Sequence, residues 1–221
     1  MAQALAGRTT GALSFTDQTY DEQRDLASIL ATPNYSQAAY HCRSKMQMHY
    51  LYRDYPGAME WAERGLLLLP SIESQVGEWQ FVFYYALTAA ALAGQATGPE
   101  QQRLLDAART QLEKFEQWSG RCASNFAHRR DLIAAEILRA SGDANAQPAL
   151  EAALAAAESR GWLHDIALAH ELLAALHRAA NPAAARHHAL RAADAYDRWG
   201  AKAKAADACA LASGPFIVAQ L

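Results

Sequence analysis

A chain of 221 residues with a formal net charge of −3 and a pI near 6.2 has no positive excess to draw it to a phosphate backbone or an anionic bilayer, so nucleic acid and membrane surfaces are not expected partners. Roughly a quarter of the residues are Ala, while Val, Ile and Thr are sparse, a composition that favours closely packed helices over sheets. The apolar runs are too short to span a bilayer and "MAQALAGRTTGALS" lacks the apolar core of a signal peptide, which predicts a cytoplasmic protein.

Helical periodicity and its punctuation predict about ten helices, near 17–32, 36–52, 56–69, 75–93, 99–118, 125–141, 146–160, 164–179, 182–198 and 201–212. Residues 1–15 form an N-terminal extension and 213–221 a C-terminal tail. Pro99 suits the first turn of its helix, and Glu100 favours the positive helix end. Asn181 is placed to cap the helix that Pro182 opens. Gly94, Gly142, Gly161 and Gly200 stand where a left-handed residue would end a helix. No Ser/Pro-rich linker interrupts the chain, so a single all-α domain over 1–221 is expected. Cys42, Cys122 and Cys209 lie 80 and 87 residues apart, which suits neither a disulfide framework nor a Cys-x-x-Cys clip; buried single thiols are expected.

The helices fall into pairs starting near 36, 75, 125 and 164, with spacings of roughly 39, 50 and 39 residues, a degenerate relative of the 34-residue tetratricopeptide unit. "RDYPGAMEWAERGLLLLP" carries the clearest register. With Arg53 at repeat position 15, Tyr55 falls at 17, Ala58 at 20, Gly65 at 27 and Pro70 at 32, matching the repeat's aromatic, two small residues and closing Pro. A later register puts Ala185 and Ala192 at the small positions, with Ala169, Leu172, Leu173 and Leu176 in the core of the preceding helix. Around Gly142, Gln147 and Leu154 take the small positions and depart from the rule.

Several segments together resemble a known family: "SFTDQTYDEQ" (14–23), "MHYLYRDYPGAMEWAER" (48–64), "FVFYYALTAAALA" (81–93), "SNFAHRRDLIAAEILRASGD" (124–143), "DIALAHELLA" (165–174) and "AADAYDRWGAKAKAADA" (192–208). They are similar to the tetratricopeptide-like helical region of large bacterial signalling proteins that also carry a serine/threonine-kinase-like domain, an AAA-type ATPase module and a sensor histidine kinase. Tyr196, Trp199, Gly200, Ala201, Ala203 and Lys204 carry the most specific part of the likeness, which closes the helical array in that family. The resemblance implies stacked helical hairpins forming a short right-handed superhelix. It also implies a scaffold or regulatory role in signal transduction, with an AAA-type ATPase or a kinase as partner. No kinase lobe, nucleotide loop or histidine-kinase core is legible in the chain.

Chemistry finds little support. "HELLAALH" opens like a zinc-protease helix, but its second His comes seven residues on, so His170 and His177 stand roughly 10 Å apart along the axis. His187 and His188 are adjacent and point different ways on a helix, so no metal or cofactor is expected. Neither a Gly-x-x-x-x-Gly-Lys-Ser/Thr loop nor a Gly-x-Ser-x-Gly elbow is present. Pairing Cys122 with His128 as nucleophile and base would need the fold to bring them together. Glu113 and Glu116 share a helix face with Lys114 and Gln117 beside them, and read as a wet surface.

Carrying the concave-face positions of tetratricopeptide helices onto these registers selects Tyr40, Arg43, Gln47 and Tyr50, then Arg129, Glu136 and Arg139, then His170, His177 and Arg178. Phe81, Phe83, Tyr84 and Tyr85 cannot all face one way; most belong to the core, and Tyr84 joins the groove. This set is more basic than the chain as a whole, and an acidic or carboxylate-bearing peptide would meet it through Arg hydrogen bonds. A non-catalytic interaction module is therefore the expected function. The alternative is a helical module that senses a small molecule and controls a kinase, an ATPase or a transcription regulator.

Overall fold

The computed structural model describes residues 1–31 and 35–213, and among them every regular element is helical. The chain divides into two compact units, Met1–Gln111 and Leu112–Leu221. The division falls inside one helix, so no linker marks it. Among the described residues no helix is long and apolar enough to cross a membrane.

The first unit holds α1 (Ala2–Leu5), α2 (Glu22–Ala31), α3 (Tyr35–Leu51), α4 (Tyr55–Leu66), a 3-10 turn at Leu69–Ile72, α5 (Val76–Ala93) and the start of α6 (Gly98–Arg121). The short α1 lies in the expected extension. The helix expected from residue 17 starts at Glu22, because Asp17 is engaged in a turn: its carboxylate accepts from the Thr19 and Tyr20 amides and from the Thr19 hydroxyl. Asp21 then accepts the Arg24 amide at 3.0 Å, as an N-cap does. The expected end at residue 32, like the tail beyond 213, lies outside the described residues.

In "RDYPG" the Asp54 carboxylate accepts the Gly57 amide at 3.1 Å, and Pro56 occupies the first turn of α4, where its missing N–H leaves no bond unmade. Ala58, Ala62 and Gly65 form the buried stripe of α4. At Gly65 three helices meet: a Cβ there would lie 2.3 Å from Phe81 Cε2 on α5 and 3.1 Å from Cys42 Cβ on α3. The small-residue position read from the sequence is thus where the Phe81 ring packs directly onto α4, and α3 packs against both α4 and α5. Pro70 falls in the 3-10 turn.

The second unit continues with the rest of α6, then α7 (Ala123–Ala140), α8 (Ala146–Glu158), α9 (Leu163–His177), α10 (Pro182–Trp199) and α11 (Lys202–Ser213). Each helix packs on the next from α7 to α11, and α7 also touches α9. Ala185, Ala189 and Ala192 line the buried side of α10. Asn181 accepts the Ala184 amide at 3.1 Å, the cap expected of it. Gly200 takes φ 90°, and the Ala201 amide reaches back to Tyr196 O at 2.9 Å, closing α10 as a left-handed residue permits. Gly142 and Gly161 are also left-handed, but Gly94 is not: its φ is −68°, and the turn that follows places the left-handed residue at Gly98. Of the three thiols only Cys42 is buried; Cys122, the residue between α6 and α7, is half-buried and Cys209 on α11 is exposed, against the expectation for both.

Candidate functional site

In the first unit, helical spacing puts Tyr40, Arg43, Gln47 and Tyr50 along one side of α3. The Arg43 guanidinium donates to Gln47 Oε1 at 3.1 Å, and the Gln47 amide donates to the Tyr84 hydroxyl at 3.1 Å. Tyr84 packs edge-on to Tyr50 at 5.6 Å. Gln47, Tyr50 and Tyr84 are buried, so they form a polar seam inside the packing, where an open groove was expected. Tyr40 is half-buried and donates from its hydroxyl to Gln75. Arg43 is largely covered, and burial pulls its guanidinium below the usual value. Its Nε has no acceptor, and no carboxylate among the described residues stands within ion-pair distance.

The adjacent flank of α3 is charged as well. Lys45 pairs with Glu22 at 2.8 Å and also donates to the Leu13 carbonyl, while Glu22 accepts the Phe15 amide at 2.8 Å. His41 Nε2 lies 3.6 Å from the same carboxylate without a hydrogen bond, and burial lowers its pKa. Sequence reading missed this cluster, because Glu22 and Leu13 stand 23 and 32 residues before Lys45.

In the second unit the expected groove residues are drawn into internal networks. Asp165, fully buried at the start of α9, meets His128 Nε2 at 2.9 Å, Arg129 Nη2 at 2.6 Å and His164 Nδ1 at 3.0 Å. Burial alone would raise the Asp165 pKa, but hydrogen bonds from His128 and His164 and the charge of Arg129 hold it well below the usual carboxylate range. Arg129 also lies 5.1 Å over Trp162, whose ring stacks on His128. Arg129 is therefore a counter-ion of the core, not a cation offered to a partner. Glu136 is buried and takes Arg139 in two parallel bonds of 2.8 and 2.9 Å, which neutralises that pair.

His170 is buried as well, with its Nδ1 2.9 Å from His188 Nδ1 on α10. Burial, then the neighbouring His188, Arg191 and His187, push its pKa down to about 4. His177 also stacks on His188, at 5.7 Å, so α10 supplies the ring that links two imidazoles one helix holds apart. Among the described residues no three His, Cys, Asp or Glu side chains are placed to hold a metal ion. Arg178 is exposed. Cys122 Sγ meets Ser124 Oγ at 3.3 Å while His128 turns to Asp165, so the fold does not bring that thiol and imidazole together as a pair. Glu171, which accepts Lys204 at 2.5 Å and the Tyr196 hydroxyl at 2.7 Å, gives two residues of the closing motif a physical role that spacing alone did not reveal.

No protein-family model, curated protein or solved structure matches the chain.

Proposed function

We propose that this chain is a non-catalytic, tetratricopeptide-like module, its helical hairpins stacked in a short right-handed superhelix, that holds an acidic protein segment in bacterial signal transduction. An AAA-type ATPase or a kinase is the partner this reading favours. The observation that carries it is the packing order within each unit: the first helix of a hairpin touches its own second helix and also the first helix of the next hairpin, as α3 does with α4 and α5, and as α7 does with α8 and α9. That order is how repeat hairpins share one continuous core. Gly65 against Phe81 supports it, because the small position of the repeat is where a ring from α5 needs the room a larger residue would fill. Arg43, a mostly covered guanidinium with no carboxylate beside it among the described residues, supports an acidic partner.

The test is a pair of fluorescein-labelled probes, deca-glutamate and deca-lysine, titrated against the full chain by anisotropy. With a net charge of −3, the chain as a whole repels the acidic probe, so preference for deca-glutamate reports local recognition. The expected outcome is at least tenfold tighter binding of deca-glutamate, weakened by added salt. Equal binding of both probes, or none of deca-glutamate, overturns the acidic-partner reading.

A further inference from the structure

The side of α3 that this reading offers to a partner is bordered by the chain's own N-terminal segment. Ala4, Leu5 and Phe15 are buried, although they precede the first long helix. Phe15 lies edge-on to His41 at 5.8 Å, and the Lys45 ammonium sits 5.0 Å over the same phenyl ring. On the opposite flank the Met1 sulfur stands 4.0 Å from the Arg43 guanidinium, a weak acceptor for a strong donor. The segment therefore straddles α3, from Arg43 on one side to His41 and Lys45 on the other. A recess of about 360 Å3 is lined by Phe15 and Tyr20 from the segment's side and by Tyr40 and Ser44 of α3.

The chemistry of the two flanks differs in one respect. Lys45 has its carboxylate, Glu22, supplied by the chain itself. Arg43 has none among the described residues, and its Nε is buried without an acceptor there. A guanidinium removed from water without a counter-ion is costly, and it gains most from a planar carboxylate that accepts two of its N–H groups. The contacts of the Lys45 flank, a carboxylate on a cation with an aromatic ring packed beside it, show what kind of segment this helix holds.

Resting on the hairpin-stack reading, we propose that the two flanks of α3, Arg43 on one and Lys45 on the other, form a carboxylate-recognising surface straddled in cis by residues 1–22, and that an acidic peptide binds by displacing that segment. The incoming carboxylates take Arg43 and Lys45, Phe15 leaves His41, and the Phe15 amide loses its bond to Glu22. The segment thus sets the threshold a partner must exceed, because every contact the partner gains on the Lys45 flank replaces one the chain already makes.

The experiment uses the full chain, deca-glutamate as probe, and hydrogen exchange at the Phe15 amide alongside binding. Phe15→Ala removes the aromatic hold, and Glu22→Gln weakens the charged one without touching the apolar contacts, so one variant remains if the other folds poorly. The expected results are at least fivefold tighter probe binding by either folded variant, at least fivefold weaker binding by Arg43→Gln, and faster exchange at Phe15 in the wild-type chain when the probe is present. Probe binding that leaves Phe15 exchange unchanged, or equal affinity for wild type and both variants, overturns displacement and leaves the acidic-partner reading standing. Failure of the probe to bind even the released variants overturns both.

Discussion

Adding one methyl group at Gly65 tests how closely α3, α4 and α5 meet. The new Cβ of Gly65→Ala would fall 2.3 Å from Phe81 Cε2, 3.0 Å from Phe81 Cζ and 3.1 Å from Cys42 Cβ. Carbon atoms pack favourably near 3.5–4.0 Å, so the ring must withdraw by about 1 Å or more. Phe81 has no exposed surface to withdraw into. Overpacking of this kind costs about 1–3 kcal/mol, and replacing a mid-helix Gly by Ala returns up to about 1 kcal/mol. The expected net loss is about 1–2 kcal/mol, read as a lower urea midpoint, and as a fall in Tm of about 2–8 °C for a chain of this size. Pairing the change with Phe81→Leu, which clears the space, should recover part of the loss, with a coupling of about 1 kcal/mol in the double-mutant cycle. A Gly65→Ala chain as stable as the parent, or more so, would refute the close approach and with it the packing reason for a small residue there.

Three further outcomes are expected. Asp165→Asn leaves the buried Arg129 without its counter-charge, and urea unfolding should show a loss of about 3–5 kcal/mol; a loss under about 1 kcal/mol would mean the network contributes little. Lys204→Met removes the cation that Glu171 and Asp207 share and should cost about 3 kcal/mol by the same measurement, whereas a neutral result would mean that water and the other partners satisfy both carboxylates. Because the folded state lowers the His170 pKa to about 4 from 6.5, the unfolded chain binds more protons between those values. Stability should therefore be full above pH 6.5 and fall as pH drops towards 4, by about 1–2 kcal/mol after allowance for solvent screening. His170→Gln should flatten that part of the pH–stability curve, and an unchanged slope would assign it to other groups.

The sequence made the helices legible wherever punctuation was local. Asn181 and Gly200 act on amides within a few residues, so their roles could be read from spacing. Gly65 was legible too, because a small residue inside a helix with good apolar spacing asks for a close neighbour, though nothing local identifies Phe81 as that neighbour. The polar positions were harder. Arg129, Glu136 and His170 fall where a tetratricopeptide register would expose them, yet in helices so rich in Ala a long polar side chain reaches the interior, where Asp165, Arg139 and His188 receive it. Spacing gives the direction a residue takes from its own helix; it does not give what stands opposite. For the same reason Lys45 could not be matched with Glu22 and Leu13, nor Lys204 with Glu171 on α9.

Lys204 has no solvent exposure, and its ammonium is shared between Glu171 on α9 and Asp207 one turn along α11. Peeling α11 away must rehydrate that ammonium and uncover Glu171 in the same motion, so a half-detached helix retains the cost of bare charge without the relief of full solvation. Helix α11 is consequently latched in two positions only, seated or released. Amides along α11 should therefore exchange together as one cooperative unit, with no gradual fraying from its C-terminal turn.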